Sequence, residues 1–114
     1  MMEFQTEDQF KQHLNTPFRL QVNAPKPIDL MLVGTESRPN DTSEEQGMER
    51  FSVFFLGSPE FLLPQSTYRL AHPEMGEFEV FLVAIGKEAN GYRYEAVYNY
   101  YKNDTARQAD TVSG

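Results

Sequence analysis

Apolar residues fall at every second position through the central and closing parts of this chain: Phe51, Val53 and Phe55, then Tyr92, Tyr94, Ala96, Tyr98 and Tyr100. A repeat of two is the period of a strand, whose side chains alternate between faces, and not the period of a helix. Four strands are therefore predicted over 50–56, 65–71, 77–85 and 91–100. Two of them carry bulk on both faces. Phe54 and Leu56 stand opposite the first series, and Phe81, Val83 and Ile85 stand opposite Phe78, Val80, Leu82 and Ala84. A strand apolar on both faces is expected to be covered on both, by a second sheet, a barrel wall or a helix.

The connections carry turn chemistry. His72-Pro73-Glu74-Met75-Gly76 and Gly86-Lys87-Glu88-Ala89-Asn90-Gly91 combine Pro, Asn and Gly as hairpins do. Asn90-Gly91 is the sharper of the two signals, because both residues tolerate positive φ and let the chain reverse. The longer connection with Gly57-Ser58-Pro59 and Pro64 holds Phe61, Leu62 and Leu63, and is expected to fold back over an open end of the sheet.

Upstream, Thr6-Glu7-Asp8-Gln9 has the form of a capping box, so a short helix is predicted over 6–15, stopped by Asn15-Thr16-Pro17. A helix this short is marginal alone and is expected to dock through Phe10, Leu14 and Phe4. Two more strands follow, the first carrying Phe18, Leu20 and Val22, the second Ile28, Leu30 and Leu32 and closing at Gly34. The polar, acidic segment 37–47 is expected to be a mobile loop, and 102–114 a disordered tail. The predicted fold is all-β: one domain over 1–101, a small antiparallel six-stranded barrel or sandwich with a short N-terminal helix, its strands joined in sequence order.

Composition narrows the function classes. With no cysteine there is no thiol nucleophile, thiolate metal site or disulfide framework. A formal net charge of -7 argues against nucleic acid and anionic membranes, both of which attract Lys and Arg clusters. Met1-Met2-Glu3-Phe4 has neither a basic start nor a long apolar run, and no stretch is long and apolar enough to span a bilayer. A cytoplasmic protein is expected.

Chemistry-bearing motifs are sparse. His72, followed by Pro73, Glu74 and Gly76, reads better as a hairpin turn whose geometry the imidazole fixes than as a metal or acid–base site. Catalytic metal sites usually need three protein ligands, and the other histidine, His13, lies in the helix. No Gly-x-Ser-x-Gly elbow and no Gly-rich phosphate loop occurs. Glu44-Glu45 and the pair Glu77 and Glu79 read as solvated charge. In the last strand Glu95 and Asn99 share the face opposite the tyrosines and flank Val97. They suit a small polar site, or the pairing of backbone groups near Gln65. Tyr92, Tyr94, Tyr98, Tyr100 and Tyr101 divide between core and surface, or line a contact area.

The runs Arg50-Phe51-Ser52-Val53-Phe54-Phe55-Leu56-Gly57-Ser58-Pro59, Leu63-Pro64-Gln65-Ser66-Thr67-Tyr68, His72-Pro73-Glu74-Met75-Gly76, Phe81-Leu82-Val83 and Tyr94-Glu95-Ala96-Val97-Tyr98-Asn99 resemble a bacterial domain family of unknown function. That family's pattern has Gly where Ser66 stands, Pro at Ala84 and Phe at Tyr98. The resemblance implies an accessory or assembly role, through an association with gene groups for phage-tail-like collar or fibre proteins.

Together these readings lead to a non-enzymatic protein-interaction or assembly module that uses no cofactor and no metal, binds another protein, and is able to form a homo-oligomer. The expected contact residues are Tyr98, Tyr100, Phe61, Leu62, Gln65, Glu95 and Asn99. The alternative is a small-molecule-binding β-barrel with Glu95, Asn99 or Gln65 orienting the ligand; a filled interior would count against it.

Overall fold

A computed structural model describes residues 5–38 and 48–101. Along the chain run helix α1 (Glu7–Lys11) and strands β1 (Pro17–Leu20), β2 (Asp29–Ser37), β3 (Met48–Gly57), β4 (Ser66–His72), β5 (Gly76–Glu88) and β6 (Gly91–Tyr101). The strand pairings are antiparallel, in the order β1-β2-β3-β6-β5-β4, and β1 also pairs with β4, so the sheet closes into a ring. The all-β expectation with a short N-terminal helix holds. The pairing order departs from the sequence order between β3 and β4. Two three-stranded meanders, β1-β2-β3 and β4-β5-β6, lie side by side, and the connection after Gly57 carries the chain from one to the other. Joining them through β3–β6 and β1–β4 completes the circuit of strands, with β5 paired to β4 over 76–82 and to β6 over 83–88.

Strand alternation sorts the side chains into two sets. Phe18, Leu20, Leu30, Leu32, Phe51, Val53, Phe55, Leu70, Phe78, Val80, Leu82, Tyr94 and Ala96 are buried inside the ring. In register, Phe51 faces Tyr98, Val53 faces Ala96 and Phe55 faces Tyr94 across β3 and β6. The other set, Phe54, Leu56, Phe81, Val83, Ile85 and Val97, points outward. The expectation that both faces of β3 and β5 are covered is corrected here. Phe81, Ile85 and Val97 are 50%, 46% and 58% exposed, since the closed ring takes in only the inward set and no second layer lies over the outside among the described residues.

One end of the ring is plugged by α1. The capping box is present: the Thr6 hydroxyl accepts from Gln9 N–H, and the Gln9 side chain accepts from Thr6 N–H. Phe10 enters the core, its ring centroid 6.3 Å from those of Phe18 and Phe51, 5.9 Å from Phe78 and 5.6 Å from Tyr98. Beneath it the Glu7 carboxylate accepts from Ser37 Oγ at 2.7 Å and Thr35 Oγ1 at 3.2 Å, which ties the helix to β2. The helix ends earlier than predicted, at Lys11, and the chain turns through Asn15 at φ 65. Leu14 is therefore exposed and does not dock, while Phe4 lies outside the described residues.

The connection after β3 covers the other end, as expected from its apolar residues. Leu63 is buried, and its N–H donates to the Tyr94 hydroxyl at 2.8 Å. The β5–β6 hairpin turns through Ala89 and Asn90, with Gly91 at φ +152. A Cβ on Gly91 would sit 1.7 Å from the Gly57 carbonyl oxygen, so glycine is required by close approach as well as by backbone conformation.

Strand limits depart from expectation at two places. β1 stops at Leu20 and leaves Val22 exposed, and β2 continues to Ser37, into the segment read as loop. Arg38 still belongs to the sheet, because its N–H donates to the Arg50 carbonyl at 2.9 Å. The rest of the expected mobile loop, 39–47, and the expected tail, 102–114, lie outside the described residues. No described helix is long and apolar enough to cross a membrane.

Candidate functional site

The outward face of β3, β6 and β5 brings three of the exposed large apolar side chains, Phe81, Ile85 and Val97, to one side of the ring. Glu95 sits in the middle of it, its backbone paired with Phe54 on one side and Val83 on the other. Ser52 is the cross-strand partner of Val97, two pairs further along and the next pair on this face. Rather than pairing with backbone groups near Gln65, the Glu95 carboxylate accepts from the fully buried Ser52 hydroxyl at 2.6 Å. The Arg38 guanidinium completes the set, 3.3 Å from Ser52 Oγ and 3.5 Å from Glu95 Oε2. Next to it Arg93 pairs with Glu88. Two of the ion pairs on this face are thus internal to it, and beside them stand exposed Phe81, Ile85 and Val97 with the partly buried Phe54, Leu56 and Val83.

The expected contact residues scatter. Glu95 and Asn99 do share the face opposite the tyrosines, with exposed Val97 between them. Tyr98 and Tyr100 instead turn toward α1. Tyr98 stacks on Phe51, ring centroids 4.8 Å apart and planes within 5°, and its hydroxyl lies 3.4 Å from Gln5 Oε1. The Tyr100 hydroxyl donates to the Gln5 carbonyl at 3.0 Å. Burial, with the neighbouring Tyr100 adding to it, pushes the Tyr98 hydroxyl well above its usual range; burial together with Glu49 pushes Tyr100 up to about 12. Both phenols stay neutral at ordinary pH and serve as hydrogen-bond donors to the N-terminal segment.

Phe61 and Leu62 are exposed at the opposite end, away from Glu95. Phe61 borders a groove of about 540 Å³ formed with Pro25, Pro27, Ile28 and Leu63. Gln65 is exposed, and beside it the Tyr68 hydroxyl donates to the Pro64 carbonyl at 2.6 Å.

His72 fixes the β4–β5 turn as expected. Its Nδ1 accepts from Glu74 N–H at 3.1 Å and Met75 N–H at 3.3 Å, which requires that nitrogen to be unprotonated. The proton is then on Nε2, 3.1 Å from Thr16 Oγ1, whose own hydrogen goes to the His13 carbonyl at 2.5 Å. Burial, reinforced by His13 and opposed by Glu74, holds the His72 pKa below the usual histidine value. Sequence reading kept the two histidines apart, yet their rings lie 4.5 Å from centroid to centroid. No group of three or more His, Asp or Glu side chains able to hold a metal occurs among the described residues. Glu77 and Glu79 are exposed and both reach Arg69, at 3.4 and 3.6 Å, so they act as surface ion pairs.

The family model described as Domain of unknown function (DUF6916) matches residues 5–98. The chain belongs to that family. The matched DUF6916 segment begins at Gln5, the residue that receives the Tyr100 hydroxyl, and ends within β6 at Tyr98, so it takes in the plug helix as well as the strand ring. No curated protein and no solved structure matches the chain.

Proposed function

We propose that this DUF6916 domain is a non-enzymatic, cytoplasmic protein-interaction module that docks a partner protein on the outward face of β3, β6 and β5. The observation that carries this reading is the coincidence on one face of Phe81, Ile85 and Val97, each about half exposed, beside the ion pairs Arg38–Glu95 and Arg93–Glu88. Large exposed apolar side chains gathered on one face mark contact surfaces far more often than isolated ones do. A partner would meet this surface through its outward side chains. The central sequence motifs add a finer form of the reading, in which the partner belongs to a phage-tail-like assembly.

A photoreactive phenylalanine analogue at Phe81 tests this, with Gln21 beyond β1, three strands around the ring from β6, as the control position. Cross-linking in native lysate should give a discrete adduct from position 81 and none from 21. Equal labelling from both positions would count against the reading.

A small-molecule site is the second reading, and it rests on the groove between Pro25, Pro27 and Phe61, whose 540 Å³ falls within the range of ligand pockets. The ring interior is filled by Phe10, Phe18, Phe51, Phe55 and Tyr94, which favours the mouth of the ring over its interior for such a ligand. Chemical-shift changes confined to Ile28, Phe61 and Leu63 on screening apolar fragments would support it.

A further inference from the structure

The segment that follows α1 is anchored to the ring at a small set of points, and two of them involve histidine. Asn15 N–H donates to the Leu32 carbonyl at 2.7 Å, and Leu32 N–H donates to the Thr16 carbonyl at 3.1 Å, so backbone pairing to β2 holds the chain at Asn15 and Thr16. The Thr16 hydroxyl then links the His13 carbonyl to His72 Nε2. His72 is clamped in turn by the β4–β5 turn, through the two backbone N–H groups that point at Nδ1. Its ring lies against Phe18, centroids 4.4 Å apart, and against His13. Every hydrogen bond in this chain runs in one direction, and that direction requires a neutral His72 with its proton on Nε2.

Protonation at Nδ1 would replace an acceptor by a donor facing two donors, so the ring would have to leave the turn. It would also set a positive charge beside a second imidazole. Few charged groups are placed to offset it. From the turn, the Glu74 carboxylate lies 3.8 Å from His13 Nε2 and is largely in solvent. From α1, Lys11 is occupied with Glu7. From β1 and β2, Arg19 and Asp29 pair with each other, and from β5 Glu77 pairs with Arg69. One partly solvated carboxylate faces two imidazoles.

We propose that His13 and His72 form an acid-sensitive latch that holds α1 in the end of the strand ring, and that charging His72 releases the helix while the ring stays folded. Release would withdraw Phe10 from its seat among Phe18, Phe51, Phe78 and Tyr98 and open an apolar cup at that end. The inference stands apart from the interaction face, since none of its residues lies on the outside of β3, β6 or β5.

Amide hydrogen exchange on the full chain at pH 7.5 and pH 5, corrected for intrinsic rates, is the test. The amides of Phe10, Gln12, His13 and Asn15 report the helix, and those of Leu70, Leu82 and Ala96 report the ring. Acidification should lower the protection of the first group by about tenfold or more and leave the second group unchanged. In His72→Asn the amide oxygen can still accept from the turn, as asparagine does in such turns. That variant lacks the contact to Thr16 and the titrating ring, so the protection of α1 should be the same at both pH values. Unchanged protection of α1 in the wild-type chain, equal loss in helix and ring, or a pH response that persists in His72→Asn would each overturn the latch. The wild-type comparison of helix with ring decides the matter even where the variant folds poorly.

Discussion

Ser52 Oγ and Glu95 Oε2 lie 2.6 Å apart on the outside of the ring, as diagonal neighbours on β3 and β6. Diagonal pairs on one sheet face are within reach of each other when one side chain is long, and here the long one is the carboxylate. Ser52 is fully buried although it points away from the core, so Glu95 depends on a donor that water cannot replace without rearrangement. Ser52→Ala should cost about 1 kcal/mol, the net worth of an ordinary hydrogen bond, since the Glu95 carboxylate keeps Arg38 and some contact with water. Glu95→Gln, which keeps an oxygen to accept from Ser52, should cost less. Urea unfolding of the two variants and the double variant measures the coupling.

Phe10 is the side chain through which the helix joins the core, in contact with four rings from β1, β3, β5 and β6. Phe10→Ala should destabilise the domain by about 3–5 kcal/mol, as large-to-small changes in tightly packed aromatic sites do. The loss should appear as a lower denaturant midpoint with little change of slope.

Gly91→Ala combines a backbone conformation that L side chains rarely adopt with a Cβ placed inside the Gly57 carbonyl. Glycine at φ +81 in Gly76 has open space around it, so Gly76→Ala carries only the conformational penalty. The expected order of thermal stability is wild type, then Gly76→Ala, then Gly91→Ala, with the last markedly lowered or unable to fold.

Tyr98 and Tyr100 set an alkaline limit. A phenol whose pKa is raised by folding remains protonated in the native chain while the unfolded chain, near pH 10, has already lost its proton. The unfolded state then binds fewer protons, so stability is fully present below about pH 10 and falls as pH rises through the folded values. Tyr98→Phe should flatten this fall between pH 10 and 12. Thermal melts across that interval provide the comparison.

Much of the fold could be read from residues adjacent in sequence, where local chemistry decides. The capping box at Thr6 and Gln9, the His72 turn, the Asn90-Gly91 reversal and the period of two in β3 and β6 are all of this kind. Pairing of β3 with β6 was not legible, because it depends on where the connection after Gly57 lands and not on any local signal. The direction of Tyr98 and Tyr100 was obscured for a different reason. β3 and β5 are apolar on both faces, so alternation separates two sets of side chains without saying which set the ring encloses. His13 and His72 meet only because α1 ends at Lys11 and the following turn carries His13 back over β4.

The most direct test of the account is a comparison of partner capture by the wild-type domain and by Phe81→Ser/Val97→Thr, after thermal melts have shown the two to be similarly stable. Both substituted side chains point outward and are about half exposed, so stability should change little. Quantitative capture from native lysate should recover a discrete protein with the wild type and lose it with the double variant. Equal recovery by the two proteins, at matched stability, would contradict a functional role for the outward face of β3, β6 and β5.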